Sequence, residues 1–232
     1  MKMCGRFQFA PPEDWVEAFG LTEAPDVPAR YNIAPTQDIV AIHADRAGHR
    51  QARLLRWGLV PRFAEDPAVG NRLINARAES VATRAAFREA FRQRRCLVPT
   101  QGFYEWKRVG GLREPWLVRL KDGGTFAFAG VWDRWAGGET SIESCALITT
   151  PANAVVAPIH GRMPVIIDRR AYAAWLDPDA GEDDLRPLLD PFPAEAMEAF
   201  PVSTRVNSPD VEGPDLTRPV APAPDPGQMR LF

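Results

Sequence analysis

A chain of 232 residues that is 45% hydrophobic and 25% charged can bury a full core without metals or disulfides. The net charge of -2 conceals an asymmetry: residues 1–176 hold 24 Lys and Arg against 18 Asp and Glu, while residues 177–232 hold 4 against 12. No run approaches the ~18 apolar residues of a membrane span and no apolar stretch near the N-terminus reads as a signal peptide, so a cytoplasmic protein is expected.

In chain order, Pro12-Glu13-Asp14 opens a short predicted helix with Trp15, Ala18 and Phe19 on one face and Gly20 as its stop. Strand-like runs follow at Ile39–His43 and Arg53–Leu59. A second helix is predicted over Thr83–Arg94, capped by Thr83 and anchored by Phe87, Ala90 and Phe91. Further strands are predicted at Cys96–Pro99, Phe103–Lys107, Trp116–Lys121, Thr125–Trp132, Ser141–Thr149 and Pro164–Ile167, with a third helix at Arg169–Leu176. This spacing predicts an α+β domain around a curved, mostly antiparallel sheet, and no GxGxxG or P-loop is present. Prolines at 209, 214, 219, 222, 224 and 226 predict a disordered tail over 208–232.

The cysteines Cys4, Cys96 and Cys145 are three in number with no CxxC spacing, which argues against a disulfide framework or a zinc site. No metal or other cofactor is expected, and Cys96 and Cys145 read as core residues. Cys4 differs because removal of Met3 would make it a 1,2-aminothiol. Its amine (roughly 7.7–8.0) and its thiol (about 8.5) both titrate within reach of neutral pH. Such a pair condenses with an aldehyde to an imine and then closes to a thiazolidine.

Glu105, between Tyr104 and Trp106, reads in two equally weighted ways. Turned inward, its charged form is disfavoured and it suits general acid work; turned outward, it is a solvated strand residue. His160 before Gly161 is expected in a turn beside the sheet, while His43 and His49 read as structural. Only three of the basic residues are lysines, and guanidinium suits bidentate phosphate contacts.

The stretches Cys4-Gly5-Arg6-Phe7, Asn75-Ala76-Arg77-Ala78-Glu79, Gly102-Phe103-Tyr104-Glu105-Trp106 and His160-Gly161-Arg162-Met163-Pro164 together resemble the SOS-response-associated-peptidase (SRAP) family. Arg30–Pro35, Trp57–Pro61 and Pro201-Val202-Ser203 support the match, which covers roughly residues 3–207 as one domain. The resemblance implies shielding of abasic sites in single-stranded DNA through a thiazolidine crosslink at Cys4. It further implies Glu105 as general acid/base, also assisting crosslink reversal, His160 as proton shuttle supporting β-elimination, and Asn75 as a positioning amide. Arg6, Arg77 and Arg162 would hold phosphates, and Phe63 or Trp106 would stack bases. Arg62-Phe63-Ala64 stands where some relatives carry a tryptophan pair, which puts a wedge against duplex in question.

Family members usually begin Met-Cys, whereas Met1-Lys2-Met3 precede the cysteine here. Initiation at Met3 followed by its loss is the expected route to a free Cys4 amine, with self-cleavage of Met3–Cys4 as the alternative. The final Gln228-Met229-Arg230-Leu231-Phe232 resembles a motif that docks on the DNA polymerase sliding clamp, so Gln228, Leu231 and Phe232 are its expected anchors. Two other readings stand beside the crosslinking one: a thiol peptidase built from Cys4, His160 and Asn75, and a non-covalent reader of modified DNA.

Overall fold

The protein, represented by a computed structural model, is described over residues 5–137 and 140–221. Its strands are β1 (Phe7–Phe9), β2 (Arg30–Ile33), β3 (Asp38–Ala44), β4 (Arg50–Trp57), β5 (Asn75–Arg77), β6 (Arg95–Thr100), β7 (Gly102–Val109), β8 (Leu112–Leu120), β9 (Phe126–Gly137), β10 (Thr140–Pro151), β11 (Arg162–Pro164), β12 (Ile166–Ile167) and β13 (Met197–Pro201). The helices are single turns or little more: α1 (Trp15–Ala18), α2 (Arg88–Gln93), α3 (Tyr172–Leu176) and α4 (Glu182–Leu185). None among the described residues is long and apolar enough to cross a membrane.

The fold is α+β and mostly antiparallel, as expected, but the strands form two sheets. In the larger one, β3, β4, β6, β9 and β10 pair in a closed circuit, with the β4–β10 contact parallel through Ser144↔Arg56 and Cys145↔Trp57. Closure removes exposed strand edges and surrounds an apolar interior. The uninterrupted apolar runs of β6 and β9 follow from this, since covered strands need no polar alternate positions. Cys96 and Cys145 lie fully buried in this wall, and burial pushes both thiols well above the ordinary range.

The smaller sheet, ordered β13-β8-β7-β1-β2, packs against the barrel. Phe7 sets its ring edge-on to Trp57 at 5.2 Å and to Phe128 at 5.7 Å, and Phe103 meets Phe128 at 5.9 Å. The opposite face of β7 and β8 is covered too, by a second cluster of Tyr104, Leu117, Val202, Val206 and Leu216. Both faces of β7 are therefore apolar, which local alternation could not reveal.

That second cluster corrects the tail boundary. Residues 208–221, expected to be disordered, pack on the domain: Leu216 is fully buried and Val220 donates its N–H to Pro201 O at 2.9 Å. Asn32 supplies the physical reason. Its amide donates to the carbonyls of Ser208 and Val211 at 2.8 Å each, and its Oδ1 accepts from Arg6 at 2.7 Å. Residues 222–232, with Gln228, Leu231 and Phe232, lie outside the described residues.

Asn32→Ala is accordingly expected to destabilise the domain by about 3 kcal/mol, because it removes one acceptor from the Arg6 guanidinium and leaves two carbonyls without their donor in a closed interface. Chemical denaturation checks this, and a loss within about 0.5 kcal/mol, typical of a surface change, would contradict it.

The helices are shorter than predicted. The 83–94 helix contracts to α2 because the Thr83 hydroxyl turns back to the Ser80 carbonyl at 3.3 Å and does not cap the first turn. The predicted 169–176 helix begins as a 3-10 turn at Arg169–Ala171, with α3 following. Arg95, buried at the start of β6, donates to the carbonyls of Phe91, Arg92 and Trp175, which satisfies the open C-terminal ends of α2 and α3. Strands β1, β2, β5 and β13 escape prediction, each being only three to five residues long.

Candidate active site and nucleic-acid interface

Residue Cys4 lies outside the described residues, which begin at Gly5. The chain that follows it is fixed on two sides. On one, β1 pairs antiparallel with β7 through Phe7↔Phe103, and Tyr104 donates its N–H to Arg6 O at 2.9 Å. On the other, Phe7 packs on Trp57, whose indole N–H donates to Ile74 O at 3.0 Å, next to Asn75. The first described residues thus run between the strand of Glu105 and the strand of Asn75.

Glu105 is 1% exposed. It shares a face of β7 with Phe103, which belongs to the barrel-side core, so the inward reading of this carboxylate is the observed one. Its cross-strand neighbour is Trp116 on β8.

The end of β10 gathers a second group. Strand β5 joins it in parallel through Leu147↔Asn75 and Thr149↔Arg77, while β11 joins it through Pro151↔Arg162. Asn75, Arg77, His160 and Arg162 therefore converge from sequence positions far apart. The loop before β5 is set by a close backbone crossing: a Cβ on Gly58 would stand 2.5 Å from Gly70 O, and Gly58 has a left-handed φ of 136°. Only glycine fits there.

His160 has a backbone partner in either protonation state. When neutral, its Nδ1 can accept from Arg162 N–H at 3.1 Å; when protonated, Nδ1–H can donate to Arg162 O at 3.1 Å. Arg162 is held by Glu79 through paired contacts of 2.6 and 2.8 Å and by Thr149 O at 2.6 Å. The hydrogen bonds from Arg162 hold the Glu79 carboxyl below its usual range. Glu79 and Thr149 were not singled out from sequence. The alternate spacing Asn75, Arg77, Glu79 is the only local sign of the former, and the pair Thr149-Thr150 at the end of an apolar run gives none for the latter.

The remaining expected residues separate. Arg77 is exposed beside Asn75. Arg6 already uses Nη1 on Asn32 and on Val206 O at 2.8 Å, so it carries part of the fold as well as any contact to DNA. Trp106 lies on the face of β7 opposite Glu105, with the Arg6 guanidinium 5.9 Å from its ring centroid and its indole N–H bound to Asn207 at 2.7 Å. These contacts leave Trp106 partly exposed.

Phe63 fits the stacking expectation better, being 64% exposed. Its loop is pinned, since Arg62 donates to Asp133 at 3.0–3.1 Å and Trp135 donates to Ala64 O at 2.8 Å. Phe63 borders a groove of about 670 Å³ that also takes in Arg72 and Leu73, two residues before Asn75.

Known proteins resemble the chain in sequence and in fold. Over 221 residues the chain is 39% identical to the abasic site processing protein YoqW of Bacillus subtilis, covering 92% of this chain and 98% of that one. The abasic site processing protein YedK of Escherichia coli is 26% identical over 227 residues, covering 94% and 100%. A solved structure of a Bacteroides thetaiotaomicron protein superposes with a TM-score of 0.85 at 24% identity, covering 94% of this chain and all of that one, which speaks to the fold alone. Residues 3–209 match the family described as SOS response associated peptidase (SRAP), and the chain belongs to that family.

Proposed function

We propose that the protein captures abasic sites in single-stranded DNA by a covalent thiazolidine crosslink at Cys4. The relatives named for abasic-site processing supply the substrate class. The observation that carries the reading is Glu105: a carboxylate buried on the very strand that pairs with β1, the strand that follows Cys4.

In the reaction, the ring-opened deoxyribose presents an aldehyde. The Cys4 α-amine adds to its carbonyl carbon, water departs, and an imine forms. The Cys4 thiolate then adds to the imine carbon, the nitrogen takes up a proton, and the five-membered ring closes with net loss of one water. Glu105 protonates the sugar ring oxygen during opening and returns a proton on reversal. His160 relays the proton exchanged at the imine, a role suited to a ring with a partner in each state. The same imine, left unclosed, permits β-elimination of the 3′ phosphate. Asn75 positions the reacting carbon through its amide, and Arg77 and Arg162 hold the flanking phosphates. Phe63 stacks an unpaired base, a contact worth about 1–3 kcal/mol in single-strand binders.

Incubation with single-stranded DNA bearing one abasic site, followed by denaturation, tests this. A retained adduct is expected with the aldehyde-bearing site and none with its tetrahydrofuran analogue, which cannot open. Equal retention of both would sink the proposal. Glu105→Gln is expected to slow formation and reversal together, by roughly 10²-fold, without preventing either. A time course of adduct formation and release reads this directly, and wild-type rates in the variant would remove Glu105 from the mechanism.

A further inference from the structure

Beyond Glu105, β7 and β8 continue as a projecting hairpin. It closes through Gly110-Gly111, both with left-handed φ (56° and 85°), a two-residue turn matched to the twist of the strands. Within it Arg108 lies directly opposite Arg113, and both are exposed. Among the described residues neither guanidinium has a carboxylate or other partner. Like charges facing each other across a strand pair destabilise a hairpin, and a fold gains nothing from the arrangement unless an anion sits between them. A third cation, Lys107, lies 5.2 Å over the Trp116 ring on the adjoining face, and Leu112 at the tip is 73% exposed.

From this juxtaposition we infer that the β7–β8 hairpin is an arm that grips the phosphate backbone of single-stranded DNA flanking the reacting site, with Arg108 and Arg113 as a paired clamp. The inference rests on the single-stranded DNA reading of the same site. Arg108 stands three residues beyond Glu105, about 10 Å along the strand, on the opposite face of β7, which it shares with Trp106 and the Arg6 guanidinium packed on that ring. DNA held there therefore leaves the N-terminal segment along the Trp106 face of the hairpin. Two unpartnered guanidinium groups suit phosphate, whose charge and acceptor geometry each can meet bidentately.

The test uses the full chain with Arg108→Ala and Arg113→Ala combined, and undamaged oligonucleotides of about 5 and about 20 nucleotides, in the range of single-strand site sizes. For the longer oligonucleotide, the slope of log affinity against log salt is expected to shallow by roughly 1.4, two phosphates at about 0.7 each. Affinity for the shorter one and covalent capture of a short abasic oligonucleotide are expected to stay at wild-type level. The melting temperature is expected to hold or rise, as relief of a like-charge pair requires. A charge-matched control, Arg169→Ala with Arg170→Ala, lies near the opposite end of β1 and β7 and is expected to leave the slope unchanged. A wild-type slope in the hairpin variant, or an equal change in the control, would overturn the arm while leaving the DNA reading intact. Failure of the wild-type chain to bind either oligonucleotide would overturn both.

Discussion

Cys4→Ser is expected to reduce covalent capture of abasic DNA to background while leaving non-covalent binding of single-stranded DNA unchanged. The variant keeps the free α-amine and still forms an imine, but an imine hydrolyses. What traps it in the wild type is the thiolate, which a thiol of pKa about 8.5 supplies near neutral pH and a serine hydroxyl does not. The variant therefore separates reversible condensation from ring closure, and borohydride treatment, which reduces an imine to a stable amine, is expected to restore a covalent product. Denaturing gels with and without reductant read both arms. A wild-type yield of adduct from Cys4→Ser without reductant would overturn the thiazolidine mechanism.

Trp57→Ala carries the largest expected loss of stability. The side chain is fully buried, edge-packed against Phe7, and bound through its indole to Ile74 O. Truncation of so large a buried ring costs about 3–5 kcal/mol. For a domain of this size that is a fall in melting temperature of roughly 6–20 °C. The change also reaches the site, since Trp57 is the shared support of the N-terminal strand and of the residue before Asn75. Slower capture per folded molecule is expected at a temperature where the variant remains folded. Trp57→Phe keeps most of the packing and leaves the Ile74 carbonyl without its donor, so a smaller loss of about 1–3 kcal/mol is expected. A Trp57→Ala protein with wild-type melting temperature would contradict this assignment of Trp57 as the joint between the two sheets.

The longer strands were legible because their apolar runs are continuous and bounded by turns, as in Phe126–Gly137 and Thr140–Pro151. Their closure into a barrel was not legible, because it depends on one parallel contact between β4 and β10 that no local pattern encodes. The reactive stretches were visible as motifs, yet their meeting depends on three-residue strands, β1, β5 and β11, too short to show periodicity. Glu105 illustrates the same limit. Alternation gave two equal readings, and the packing of Phe103, on the same face of β7, against Phe128 of the barrel decides for the inward one. Asn32 was seen only as part of a matching stretch, because its role lies in carbonyls 176 and 179 residues away. The contacts of Trp106 with Arg6 and Asn207 join residues about a hundred positions apart and leave no local mark.

Intact mass spectrometry of the purified chain, before and after incubation with single-stranded DNA carrying one abasic site, decides whether Cys4 captures the aldehyde. A chain beginning at Cys4 is expected to gain, under denaturing conditions, the mass of the oligonucleotide less one water. A chain that begins at Cys4 and gains no mass would contradict that capture.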